Sequence, residues 1–237
     1  MNEIGKEPVP DKIFLMDRVH NQHPDPENRT YKYLGILLDE NLSLNAHFDY
    51  LCKKLSKGLF CLNRGKHYLD TKALKNLYFS LFHPHLLYCT LIFGCTSDSN
   101  IKLVLIMQKK AVRIISNKKY NDHTAPLFIQ HSILPFDKLL YFNKIKFIHS
   151  YVHGHCANSL GENWLVNTQR TTNITLRNND DLTVPFPRFE GFKKFPNYDF
   201  PHLWNKIGPM KYQSNTTTFT TWLKNLIFTE LAELSNT

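Results

Sequence analysis

The sequence predicts a mainly α protein: a helical bundle with an N-terminal β-hairpin, short C-terminal strands and a last helix. Five or more segments place apolar residues at i, i+3 and i+4, whereas a single run near the N-terminus has clear strand character. The 237 residues are 42% apolar and 13% aromatic, with nine glycines and twelve prolines. That composition supports a packed core and excludes collagen-like and low-complexity classes.

Residues 1–30 are polar and proline-punctuated around one apolar run, Ile13-Phe14-Leu15-Met16. Tyr31–Asp39 then reads as a strand ending at the turn-forming Asp39-Glu-Asn41, and the two pieces could pair as a hairpin. From Ser43 the period becomes helical through Phe48, Leu51, Leu55, Leu59 and Leu62, with Ser43 or Asn45 as the N-cap. Asp70-Thr71 caps a second helix carrying Leu74, Leu77, Tyr78, Leu81 and Phe82, which Pro84 must break or kink. Residues 76–94 approach the ~20 a bilayer span requires. His83-Pro84-His85 lies near their middle, so a buried, kinked helix pair is expected and no membrane partner.

Residues 101–115 form the clearest helix, with an apolar stripe of Ile101, Val104, Leu105, Val112 and Ile115 that Gln108 interrupts. Further helices are expected at 123–131 and 136–155, followed by a Thr/Asn-rich region. Beyond Val184 short extended runs are broken by Pro185, Pro187, Pro196 and Pro201. A last amphipathic helix uses Phe219, Trp222, Leu223, Leu226, Ile227 and Leu231.

The net charge of +9 is unevenly spread. Residues 1–49 hold five Lys/Arg against nine Asp/Glu, residues 50–120 thirteen against two, and residues 121–237 eleven against nine. A basic middle third points either to a polyanion partner, whose condensed counterions each phosphate contact would release, or to a solvated basic surface. Lys53, Lys57 and Arg64 fall within one narrow arc of the first helix. Lys102, Lys109 and Arg113 fall within about 40° on the 101–115 helix at 100° per residue, and Lys110, Lys118 and Lys119 extend that field.

Five cysteines (Cys52, Cys61, Cys89, Cys95, Cys156) form no Cys-x-x-Cys pair, so neither a disulfide framework nor a zinc finger is expected. The start lacks an apolar h-region; an intracellular protein with reduced thiols, in nucleus or cytoplasm and not secreted, is the expectation. His149 and His153 stand at i, i+4 with His155 and Cys156 nearby, a spacing better read as a surface or helix-end cluster than as a metal site. His83 and His85 read as packing residues. Tyr68, Tyr78, Tyr88 and Trp222 are candidates for base stacking, but their spacing among leucines favours core. Asp180-Asp181 follows Asn178-Asn179 in a polar loop without strand context. No Walker, Ser-His-Asp or glycine-rich phosphate motif is present, so no catalytic residue, metal or cofactor is assigned.

Several segments together resemble the C-terminal part of reverse transcriptases of non-LTR (LINE-type, jockey-like) retrotransposons. They are Tyr31–Ser43, Met107–Ile115, His123–Phe128 leading to Ile133-Leu-Pro-Phe136, and Val184–Arg188 leading to Leu203-Trp-Asn205. No one piece is specific; their order over some two hundred residues is the signal. The resemblance implies a palm-end hairpin remnant at 1–43, a helical thumb-like domain at 44–157 and a C-terminal region at 158–237. It implies a sequence-tolerant template–primer-like duplex as partner, clamped by the thumb. The family's Tyr/Phe-x-Asp-Asp turn, which holds metal ions for nucleotidyl transfer, is absent from these residues, and the chain is expected to begin beyond it. Three readings stay open: a fragment that binds nucleic acid without chemistry, a piece working with a separate palm, and a helical interaction module or decayed element fragment.

Overall fold

In the computed structural model the described residues are 30–93, 96–156, 181–187 and 189–235. The chain divides into two compact units, residues 1–47 and 48–237.

The first unit is a hairpin with the entry to a helix. Strands β1 (Thr30–Tyr33) and β2 (Ile36–Asp39) pair antiparallel with Tyr31 opposite Leu38 and Tyr33 opposite Ile36. The run expected as one strand thus folds back on itself. Leu34 and Gly35 take φ of 45° and 82°, both left-handed, which gives the twist that a two-residue hairpin turn needs. Glycine adopts this freely and Leu34 is tolerated beside it. The other expected partner, Ile13–Met16, lies outside the described residues. After β2 the Asp39 carboxylate organises the turn: Oδ1 accepts the N–H of Asn41 (3.0 Å) and Ser43 (2.9 Å), and Oδ2 accepts the Ser43 hydroxyl (2.7 Å). Burial works against its charge, but these bonds outweigh it and hold its pKa below the ordinary carboxylate value. The first helix, α1 (Asn45–Gly65), begins one residue past Leu44, whose φ is 61°. Of the two expected caps, Ser43 makes the bond, its Oγ accepting the Asn45 N–H at 3.3 Å; Asn45 is already helical.

The second unit is mainly helical among its described residues. Its helices are the body of α1, then α2 (Thr71–Leu81), α3 (His83–Leu87), α4 (Thr90–Phe93), α5 (Asp98–Ile115), α6 (Ala125–His131), α7 (Phe136–Val152), α8 (Pro196–Asn205) and α9 (Thr216–Ser235). Asp70 caps α2 as expected, its Oδ1 accepting the Ala73 N–H at 2.8 Å. The chain then breaks at Phe82, and Pro84 sits in the first turn of α3, where a missing N–H costs nothing. Residues 76–93 are therefore interrupted helices, and among the described residues no helix is long and apolar enough to cross a membrane. Tyr78, Phe82 and Leu86 are fully buried. At Gly58 a Cβ would lie 3.4 Å from the Leu81 carbonyl and the Phe82 ring, so the absent side chain lets α1 approach α2 closely.

α7 packs against α4, α5, α8 and α9. Phe136, Leu139, Leu140, Ile145, Ile148 and His149 are all buried, because a helix apolar on most sides must be covered on most sides. α9 buries Phe219, Leu223, Ile227 and Leu231, one residue every turn, and packs on α6 and α7. Trp222 is only half-buried and Leu226 is exposed, so the buried stripe is narrower than the apolar pattern suggests.

The proline-rich stretch beyond Val184 differs from expectation. In place of short strands it forms a 3₁₀ turn (Glu190–Lys194), α8 and a second 3₁₀ turn (Pro209–Tyr212). Pro196 and Pro209 stand in first turns, where proline starts a helix rather than ending one. Pro201 lies inside α8, and burying Phe200, Pro201 and Trp204 together offsets its lost hydrogen bond. Two clasps fasten residues 181–182 to this region. The Asn205 amide donates to the Leu182 carbonyl and accepts its N–H, both at 2.9 Å, and Asp181 pairs with Lys211 at 2.6 Å.

Candidate nucleic-acid interface

The helix register of α5 sets its basic ridge. Val104, Gln108, Ala111, Val112 and Ile115 are buried, so the residues half a turn away face outward. Lys102 and Lys110 are exposed, Lys109 and Arg113 half-buried, and the exposed Leu103 and Ile106 lie among them. Gln108 interrupts the apolar stripe because it is a buried tie: its Nε2 donates to the Tyr78 hydroxyl (3.0 Å) and to the Leu134 carbonyl (2.9 Å). Burial pushes the Tyr78 phenol up, well above its usual value, so it stays neutral.

Arg113 does more than present charge. Its Nε donates to the Asp122 carbonyl at 2.9 Å and its guanidinium lies 5.7 Å from the Tyr120 ring centre. The same loop is closed by the Asp122 carboxylate accepting the Lys119 N–H at 2.8 Å. Arg113 thereby holds the turn that carries the exposed Lys118 and Lys119 near the C-terminal end of α5, where the helix dipole also favours cations. At the other end Asp98 pairs with Lys194 at 2.8 Å. The hydrogen bond and charge of Lys194, and then Lys102, hold the Asp98 carboxyl below its ordinary value.

On α1, Lys53, Lys57 and Arg64 are exposed, opposite the buried Leu51, Leu55 and Leu62. Arg64 lies over the Phe60 ring at 5.5 Å and Lys54 over Tyr50 at 5.2 Å. Both pairs stand at the i, i+4 spacing of one helix face, a signal carried by the sequence itself. The structure thus gathers Lys102, Lys109, Lys110, Arg113, Lys118 and Lys119 about one helix, and Lys53, Lys57 and Arg64 on another. α1 meets α2 at Gly58, and α5 packs on α2.

Of the aromatic candidates Tyr78 is core, whereas Tyr68 and Tyr88 are exposed. His83 packs against Tyr78 and Phe79. The histidine cluster at 149–156 stands at the C-terminal end of α7, as expected, but His149, in the last turn, is not at the surface: it is fully buried. Its ring stacks on Phe219 at 4.0 Å and its Nε2 meets the Gln213 carbonyl at 2.7 Å, which the sequence could not show because both partners come from the far end of the chain. His153, at the end of α7, bonds the Lys211 carbonyl at 3.1 Å. His155 and Cys156 line a separate cleft of about 550 Å³ with Cys89, Asn143 and Lys146. Among the described residues no group of three or more His, Cys, Asp or Glu could hold a metal ion. Asp180 lies outside the described residues. Asp181 is occupied by Lys211, whose pKa is raised because the bond and charge of Asp181 outweigh burial.

Burial lowers the pKa of His149, and the nearby His153 and His155 add to this against the Gln213 bond. Burial likewise lowers His83 and His131. A histidine whose folded pKa lies below its unfolded value contributes stability that is complete above the unfolded pKa and is lost as pH falls through the folded one. The melting temperature should therefore be flat above about pH 6.5 and fall steadily below it. His149→Gln keeps a donor for Gln213 but cannot titrate, so its melting curve should depend less on pH than the parent's. An unchanged pH slope would exclude His149 as a contributor.

Comparison with known proteins agrees with the motifs. The chain is 33% identical over 98 residues to a probable RNA-directed DNA polymerase from transposon X-element of Drosophila melanogaster. It is 31% identical over 105 residues to the RNA-directed DNA polymerase from mobile element jockey of the same fly, and 26% identical over 102 residues to that of Drosophila funebris. These matches cover 39%, 42% and 41% of this chain and 11% of each relative. No family model matches, and no solved structure matches. Over about two fifths of its length, the chain is similar to the RNA-directed DNA polymerases of the mobile elements jockey and X-element, and it spans about a ninth of theirs.

Proposed function

We propose that this chain is a non-catalytic segment of a jockey-type RNA-directed DNA polymerase that holds a template–primer-like duplex by its sugar–phosphate backbone. In this reading residues 1–43 are the end of the palm, 44–157 the thumb and 158–237 the C-terminal region, and the protein works inside the cell. The observation that carries it is the α5 ridge: six Lys/Arg side chains about one helix and its following turn, outward of a buried face, in a chain similar to polymerases. Backbone contacts fix register on a duplex without reading sequence, as a polymerase requires. The 237 residues contain no Tyr/Phe-x-Asp-Asp turn, and the ridge offers only cations, so it can bind phosphate but cannot hold the metal pair of nucleotidyl transfer.

The test is a salt titration of duplex binding with a primer-extension assay alongside. Non-specific affinity around 10⁻⁴ to 10⁻⁶ M at physiological salt, falling linearly in log–log form, is expected for duplexes of unrelated sequence. No extension should occur with Mg²⁺ or Mn²⁺. Incorporation above a mock-purified control would overturn the non-catalytic part, and salt-independent binding the backbone part.

A second reading, a piece that completes a separate palm, draws on the hairpin, where Tyr33 and Leu34 are 56% and 73% exposed. A two-stranded ribbon with exposed apolar side chains is suited to pairing with another sheet. Restoration of extension on mixing with a palm domain would favour it.

A further inference from the structure

The solvent face of α1 is not merely basic. Between Tyr50 and Leu69 there is no acidic residue, and at 100° per residue Tyr50, Lys53, Lys54, Lys57, Phe60 and Arg64 share an arc of about 120° opposite the buried leucines. Phe60 is 61% exposed, a large apolar ring at the rim of this arc, between Lys57 and Arg64 along the helix. Lys54 lies over Tyr50 and Arg64 over Phe60, so both rings already present their faces to positive charge. Tyr68, in the turn after the helix, is 89% exposed.

We infer that this face binds an unpaired stretch of nucleic acid, with Phe60 as the ring on which a base stacks. The inference rests on the nucleic-acid reading proposed above and adds its partner: single-stranded nucleotides at α1, as distinct from duplex backbone at α5. Charge complementarity fixes the class of ligand, since a face with four cations and a single acidic residue at its N-terminal edge, Asp49, selects a polyanion. The exposed ring then selects among polyanions. In a duplex the base faces are covered by their neighbours, whereas an unpaired base offers a π-face that any sequence can supply. Lys57 and Arg64 flank the ring by three and four residues, close enough to meet the phosphates of a stacked nucleotide. Tyr50 and Phe60 are ten residues apart, about 15 Å along the axis, so the face accommodates a few nucleotides.

The probe is a fluorescent oligothymidylate, compared with an abasic strand of the same length and with a duplex, in the full chain. Phe60→Leu keeps an apolar, helix-compatible side chain without a π-face, and Phe60→Trp keeps the face. The parent should bind oligothymidylate more tightly than the abasic strand, by roughly 5- to 150-fold. Phe60→Leu should abolish that difference while leaving abasic-strand and duplex binding unchanged, and Phe60→Trp should retain it. Saturating oligothymidylate should also slow alkylation of the exposed Cys61, on the same face, read by peptide mass. Equal parental affinity for the base-bearing and abasic strands overturns the stacking site, as does equal loss of all three ligands in Phe60→Leu, or unprotected Cys61. If duplex binding keeps its salt slope in any of these cases, the backbone reading survives alone. If neither strand nor duplex binds, both readings fail.

Discussion

Replacing Phe219 by alanine should lower the unfolding free energy by about 3–5 kcal/mol, the range for emptying a fully buried aromatic site. Phe219 is where three elements meet: its ring lies 4.0 Å from His149 of α7 at 16°, 6.3 Å from Trp204 of α8 and 5.8 Å from Trp222 on its own helix. The loss is large against the roughly 5–15 kcal/mol that holds a typical domain together. At about 2–4 °C per kcal/mol for a unit of this size, the melting temperature should drop by about 6–20 °C. Trp222→Ala is the contrast, because the half-buried Trp222 should cost much less despite its larger side chain. A shift for Phe219→Ala no larger than that for Trp222→Ala would show that α9 does not depend on this stripe. The substitution also admits water beside His149, so the acid sensitivity assigned to that histidine should shrink with it.

The second large effect concerns the ridge. Lys102→Gln, Lys109→Gln and Arg113→Gln together should reduce the salt slope of duplex binding by at most ~2.7, about 0.9 per lost phosphate contact, and the affinity at 0.1 M salt by up to roughly 500-fold. Glutamine keeps similar length and helix propensity. Arg113 also holds the 116–122 turn through Asp122 and Tyr120, so loss in this variant combines charge with position. Lys102→Gln, Lys109→Gln and Lys110→Gln leave that turn untouched and should give a comparable reduction. If both folded variants bind with the parent's affinity and slope, the ridge is a solvated surface and the interaction-module reading takes its place. Lys53→Gln with Lys57→Gln tests the α1 face by the same salt titration with oligothymidylate in place of the duplex.

The local elements were legible because their causes are local. The apolar period from Phe48 to Leu62, the Asp70 cap, the break at Pro84 and the stripe from Phe219 to Leu231 each depend on residues within a turn or two, and the helices formed where these signals stand. The basic ridges were legible for the same reason, since helical spacing alone puts Lys102, Lys109 and Arg113 on one side. Only the tertiary structure decided the fate of the polar residues inside those patterns. Gln108 could be read as a flaw in a stripe; it is a tie to Tyr78 and Leu134, thirty and 26 residues away. His149 reads from sequence as part of a surface or helix-end cluster; it does sit in the last turn of α7, and a carbonyl 64 residues on makes its burial possible. Lys211 is buried because Asp181 reaches it, and α8 forms through a proline because Trp204 and Phe200 are covered. Backbone geometry repeats every few residues and leaves its mark in sequence. The desolvation of a polar group is decided by a partner that folding alone brings within 3 Å.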